Sequence, residues 1–109
     1  MYRFVFSETF YEDLDSAYEY ISDEFDVSIA RKNLFSSLDK KLSKMEIMPY
    51  AWSLIRDHYL ASNGYRSVLV KNYLMFFAIN EDEKTIEVKR FLHSSRDWKN
   101  ILNENFLEE

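Results

Sequence analysis

Apolar residues in this 109-residue chain recur every three or four positions up to about residue 46, then alternate from residue 65. A pattern of period 3.6 buries one face of a helix, and a pattern of period 2 buries one face of a strand. The two halves must therefore form different elements. Neither half can complete a core without the other, so helices packed on a sheet are expected.

The first half divides at two breaks. Residues 2–6 are aromatic or β-branched after Arg3 and predict a short strand that stops at Ser7. Ser7 is a natural N-cap, with Glu8 in the electropositive first turn. Phe10, Leu14, Ala17 or Tyr18, Ile21 and Phe25 then mark one helical face, predicting a helix over 8–24. Glu12, Asp13, Asp15, Glu19 and Asp23 are assigned to its solvated face. A second helix over 28–46, capped by Asp26 or Ser28, carries Val27, Ala30, Leu34, Leu38, Leu42 and Met45. It must end before Pro49. Residues 49–63 lack clear periodicity and read as a loop, with a strand start near Trp52–Arg56.

The second half reads as a meander. Tyr65–Lys71 alternates, with Arg66, Val68 and Val70 on one face, and Lys71–Asn72 suits a tight turn. Tyr73–Ile79 is an unbroken apolar run, as expected of a central strand buried on both sides. Asn80–Lys84 is a polar turn. Thr85–Leu92 alternates again and would set Ile86, Val88, Arg90 and Leu92 on one face. Ser94 or Ser95 is a candidate cap for a short last helix bearing Trp98, Ile101 and Leu102. The fold class is α+β, a helical pair on a sheet of about four strands, in a single domain spanning 1–109.

Composition narrows the function. With 47% hydrophobic and 17% aromatic residues, the chain has ample core material, which excludes a disordered regulator. It has no cysteine, so disulfides and thiolate metal sites are excluded, and a cytoplasmic setting is expected. His58 and His93 lack ligand spacing, so neither a metal nor a cofactor is expected. No apolar run approaches the roughly 20 residues of a membrane span, and the acidic start does not suit a signal peptide. The net charge of −5 is uneven: residues 1–26 carry one base and eight acids, leaving the remainder at +2. Non-specific binding to long nucleic acid is disfavoured, but a local basic patch is not.

Three stretches then meet at the strand ends: Gly64–Tyr65–Arg66, Val70–Lys71–Asn72–Tyr73, and Lys89–Trp98 with its Phe91–Leu92–His93 and Arg96–Asp97. Their order, behind the opening Tyr2–Ser7 strand, Tyr18–Glu19–Tyr20–Ile21 and Met48–Pro49, resembles the RelE/ParE toxin superfamily over almost the whole chain. The resemblance implies an N-terminal strand, a helical hairpin, a three-stranded antiparallel meander and a short C-terminal helix. It also implies the toxin of a type II toxin–antitoxin pair, held by a cognate antitoxin in an apolar groove. RelE-like members cut mRNA in the ribosome, which is the activity expected first for this chain; the alternative is that of ParE-like members, which poison DNA gyrase. A third class only binds its antitoxin.

For metal-free RNA cleavage the resemblance points to Arg66 and Arg96 as phosphate-binding arginines. Arginine suits that task because its planar fork grips two oxygens and stays charged. His93 has the only nearby side chain that titrates near neutrality, which makes it the acid or base. Lys71, Tyr73 and Arg90 complete the set as substrate-binding residues. Each has a plainer reading. Arg66 pairs with Asp97 or Glu87, Arg96 pairs with Asp97, His93 bonds nearby backbone, and Tyr73 is core. The stretch Lys99–Glu109 holds neither the tyrosine nor the histidine that several ribonuclease members carry there.

Overall fold

Strand β1 (Arg3–Phe6) leads directly into helix α1 (Glu8–Ile21), and helix α2 (Val27–Ile47) lies beside it. The structure is a computed structural model and describes residues 1–21 and 27–107. Ser7 caps α1 as expected: its Oγ accepts the Phe10 N–H at 2.9 Å. The expected cap at Asp26 and the apolar position Phe25 lie outside the described residues. Ser28 is not a cap, because α2 already includes Val27. Pro49 ends α2 by opening a 3-10 turn, Pro49–Ala51.

Residues 49–63 are more ordered than a loop. Beyond the 3-10 turn they contain helix α3 (His58–Ser62). Asp57 caps it, with Oδ1 accepting the Leu60 N–H at 3.0 Å. Gly64 ends it at φ +79°, giving its N–H to Ala61 while Tyr65 gives its own to Leu60. That pair of bonds is a Schellman motif, and its left-handed residue is best supplied by glycine. The strand start expected near Trp52–Arg56 reduces to one bridge, Leu54 opposite Arg66.

Strands β2 (Arg66–Val70), β3 (Tyr73–Asn80) and β4 (Thr85–His93) form the expected meander, followed by helix α4 (Trp98–Leu107). The sheet order is β1-β4-β3-β2, with β1 parallel to β4 and the rest antiparallel. The tight turn at Lys71–Asn72 requires a left-handed residue, and Lys71 adopts φ 56°. On one sheet face Tyr73, Met75, Phe77, Ile86 and Val88 pack with Phe10, Ala17, Leu34 and Leu38 of the helical pair. On the other, Phe76 and Leu92 pack with Leu60 and Leu102. Helices thus cover both faces, which is why Met75, Phe76 and Phe77 are all buried. Each buried phenylalanine contributes roughly 2–3 kcal/mol of transfer free energy.

The simple alternation expected of Thr85–Leu92 fails at one residue. Phe77 pairs with Val88 and Phe76 with Arg90, so Lys89 is an extra residue in β4, a β-bulge. Ile86 and Val88 face the helical pair before the bulge, Phe91 does so after it, and Leu92 joins the α4 side. The Lys89 carbonyl, left out of the ladder, accepts the Ser7 hydroxyl at 2.7 Å. The last helix starts later than expected. Ser94 and Ser95 precede it, and Asp97 occupies its entry, with its carbonyl taking the Ile101 N–H.

Candidate functional site

The register Tyr73 opposite His93 sets the corner of the sheet where the meander turn and the end of β4 meet. Tyr73 and His93 both face the helical pair there, and Tyr20 reaches over from the last turn of α1. The His93 ring lies edge-on to Tyr73 at 5.2 Å and 6.3 Å from Tyr20, while Tyr73 stacks on Phe91 at 4.9 Å. Two cavities flank this aromatic group. One, of about 290 Å³, is lined by Asp13, Ser16, Tyr20, Phe91, His93 and Arg96 among others. The other, of about 240 Å³, is lined by Tyr20, Asn33, Lys71, Tyr73 and His93 among others.

His93 is held by its own turn. Its Nδ1 accepts the Ser95 N–H at 3.2 Å and lies 2.8 Å from Ser95 Oγ. An accepting Nδ1 puts the proton of the neutral ring on Nε2. The His93 carbonyl in turn accepts the Arg96 N–H at 3.0 Å, which folds the chain back and leaves Arg96 exposed at the cleft mouth. Tyr73 is buried as well as cleft-lining. Burial first, and Tyr20 second, raise its phenol above the usual value, so it stays protonated at neutral pH.

Of the residues singled out in the sequence, His93, Arg96 and Tyr73 line one cleft, and Lys71 joins Tyr73 and His93 at the adjoining cavity. Arg90 and Arg66 are differently placed. Arg90 grips Asp13 with both nitrogens, Nε to Oδ2 at 2.7 Å and Nη2 to Oδ1 at 3.1 Å. Both side chains are nearly buried, and Asp13 Oδ2 also accepts the Phe91 N–H at 2.9 Å. Arg66 starts β2 opposite Phe77, four residues along β3 from Tyr73. At about 3.3 Å per residue, that puts it roughly 13 Å along the sheet from the His93 corner, and two strands across. It pairs with neither Asp97 nor Glu87 in the described set. Its Nη1 donates to the Trp52 carbonyl at 2.6 Å, and its guanidinium lies 5.0 Å from the Tyr50 ring centre. Tyr50 and Tyr2 both donate to Glu81 Oε2, at 2.6 and 2.8 Å, and Lys84 bonds Oε1. Those bonds hold the Glu81 carboxyl down at about 2.

Asp13, Tyr20 and Ser95 were missed as site residues. Asp13, among the acids of α1, reads in the sequence as part of the solvated face. It lies three residues after Phe10 and four before Ala17, a spacing that puts it beside the apolar stripe. Among the described residues, no group of three histidine, aspartate or glutamate side chains is placed to hold a metal, and no helix is long and apolar enough to cross a membrane.

This fold, with a helical pair and C-terminal helix sandwiching a β1-β4-β3-β2 sheet, is shared by toxins of toxin–antitoxin systems. A family model described as ParE toxin of type II toxin-antitoxin system, parDE, matches residues 4–98. The chain belongs to that family. Among solved structures it is similar to a chain of the Mycobacterium tuberculosis toxin–antitoxin complex RelBE2, with TM-score 0.59 and 17% identity over 84% of this chain and 96% of that one. It is also similar to a metal-bound toxin from Helicobacter pylori, with TM-score 0.53 and 17% identity over 87% and 97% of the two chains. No curated protein matches its sequence.

Proposed function

We propose that this toxin arrests growth by binding a protein target in the cytoplasm, in the manner of a DNA gyrase poison, and that a cognate antitoxin silences it. One observation carries the choice of mechanism. Of the three arginines named for cleavage, only Arg96 stands beside His93. Arg66 stands at the far end of the sheet on the Trp52 carbonyl, and Arg90 is spent on Asp13. Phosphoryl chemistry depends on charges placed within hydrogen-bond reach of the reacting oxygens. A binding poison has no such requirement. Recognition across a surface spreads over many residues, dominated by a few aromatic or arginine anchors.

A specific observation favours a second reading, metal-free mRNA cleavage. His93 and Arg96 do share one cleft with Tyr20 and Tyr73, giving an acid–base group, one cation and rings for stacking a base. Pulse-labelling after induction separates the two. The gyrase reading expects DNA synthesis to fail first, with broken DNA trapped on gyrase and mRNA intact. An early fall in protein synthesis with mRNA cut inside ribosomes overturns it and installs the ribonuclease.

A further inference from the structure

The acids and most of the lysines of α2 lie on opposite sides of the helix. Asp39 lines an apolar groove with Phe6, Phe10 and Tyr11, so it faces α1. Glu46, two turns further on, shares that side. Asn33 lies on the other side, where it meets Lys71 of the meander turn across the 240 Å³ cavity. Ser37, Lys40, Lys41 and Lys44 recur at helical spacing after Asn33 and continue its side toward the end of α2. That side flanks β2, whose Val68 and Val70 share a core cluster with Leu34 and Leu38.

The result is a basic face on which α2 places no acid. Lys40, Lys44 and Lys71 are exposed and Lys41 is half-buried. Among the described residues none of the four has an ion-pair partner; the pairs are Lys84–Glu81, Lys89–Glu87 and Arg90–Asp13. Residues 64–77 add no acid. The helix dipole favours a base in the last turn, which describes Lys44 but neither Lys40 nor Lys41. At 1.5 Å per residue, Asn33 and Lys44 stand roughly 16 Å apart along the axis, with Lys71 at the Asn33 end. A straight row of unpaired cations on a rigid helix fits a partner with regularly spaced anions. Duplex DNA rises 3.4 Å per phosphate on each strand, so the row matches about five base pairs. Single strands are held instead by stacking bases on aromatic rings, and the stripe from Asn33 to Lys44 carries none on this side.

We infer that Lys40, Lys41, Lys44 and Lys71 bind the phosphate backbone of duplex DNA, namely the segment that gyrase holds. The inference rests on the gyrase reading above and extends the target from gyrase to its DNA complex. Phosphate contacts of this kind fix position and carry no base sequence. The acidic first 26 residues and the net charge of −5 keep the toxin from spreading along free DNA, so the contact matters where gyrase presents the duplex.

The test uses the full chain. Fluorescence anisotropy follows a labelled duplex of about 20 base pairs. Affinity is expected to fall roughly a hundredfold between about 50 and 200 mM salt, as for four phosphate contacts. Lys40→Gln combined with Lys44→Gln should weaken binding at least tenfold at the lower salt and about halve the salt slope. Lys32→Gln, on the α1-facing side of the same helix, should change neither. With purified gyrase and plasmid, the double variant should need at least tenfold more toxin than wild type to trap cleaved DNA. No duplex binding, or equal losses in the double variant and Lys32→Gln, overturns the face. Single-stranded RNA bound tenfold more tightly than the duplex overturns DNA as its occupant. Cleaved DNA trapped as well by the double variant as by wild type overturns the contact and leaves the gyrase reading standing. A wild-type toxin that binds duplex but traps nothing overturns the gyrase reading, and with it the assignment of this DNA to the gyrase complex.

Discussion

The Asp13 carboxylate spans the Arg90 guanidinium with two bonds, 2.7 and 3.1 Å long, while the two side chains keep only 10% and 13% of their surface exposed. A third bond, from the Phe91 N–H, fastens α1 to the edge of β4 where β1 has ended. Removing one partner of such a pair leaves a nearly buried charge without compensation. Asp13→Ala is expected to destabilise the fold by about 3 kcal/mol. Asp13→Leu combined with Arg90→Met should cost less than Asp13→Ala alone. Urea denaturation of the wild type and the two variants checks both statements; equal losses in the two variants would refute the account.

Arg66 makes one hydrogen bond and one ring contact, both with the segment after α2. Arg66→Ala is expected to cost about 1 kcal/mol of stability, the worth of one neutral-acceptor bond with a partly exposed cation–π contact. Growth inhibition on induction should persist. Complete loss of toxicity in a folded Arg66→Ala protein would return this residue to the active machinery.

His93→Gln keeps the approximate size of the side chain and removes the imidazole. For a surface-binding toxin, growth inhibition should fall by no more than a few fold, and its pH dependence should not change. Colony counts after induction at pH 6 and pH 8 measure both. A loss of a hundredfold or more, the scale of a missing acid–base group, would favour cleavage.

At the opposite end of the sheet, Glu81 is held at about 2 rather than its ordinary 4.5, first by Lys84 and then by Tyr50 and Tyr2. A carboxyl whose folded value is depressed contributes stability that is fully present above its unfolded value. That contribution disappears as the pH falls from about 4.5 toward 2. The gap in melting temperature between wild type and Glu81→Gln should therefore be constant near neutrality and close across that acid window. A gap that closes only above pH 5 would contradict the hydrogen-bonded cluster.

Lys71 holds φ 56° in the tight turn while its side chain is exposed. That backbone region costs a side-chain-bearing residue about 1–2 kcal/mol, partly offset by the larger unfolded-state entropy of glycine. Lys71→Gly should thus raise stability by about 0.5–1 kcal/mol. A lower denaturation midpoint for Lys71→Gly would show that the turn depends on the lysine side chain.

Much of this architecture was legible because periodicity is a local property. Phe10, Ala17, Leu34, Leu38 and Met45 announce their helices by spacing, and Tyr73–Ile79 announces a strand covered on both sides. Helix α3 was not legible: five residues are too few to show a stripe, and only the punctuation at Asp57 and Gly64 marks its ends. The site was harder to read. Whether Arg66 stands beside His93 depends on which ends of β2 and β4 adjoin, a matter of register that no single strand records. The pairing of Asp13 with Arg90 joins residues 77 apart. An acid next to an apolar stripe looks like any other surface acid until its partner is in place.

A strand ordinarily chooses once, for its whole length, which of its residues look inward. Lys89 lets β4 choose twice. Up to Val88 the strand serves as scaffold, locked to β1 and the helical pair. Beyond Lys89 the parity is inverted, so His93 is turned to the cleft and Leu92 to the α4 core. Counted without that residue, the histidine would point into the apolar side and the leucine into the cleft. One inserted position thus separates the part of the strand that holds the molecule together from the part that lines the cleft, and it allows either part to change sequence without dictating the orientation of the other.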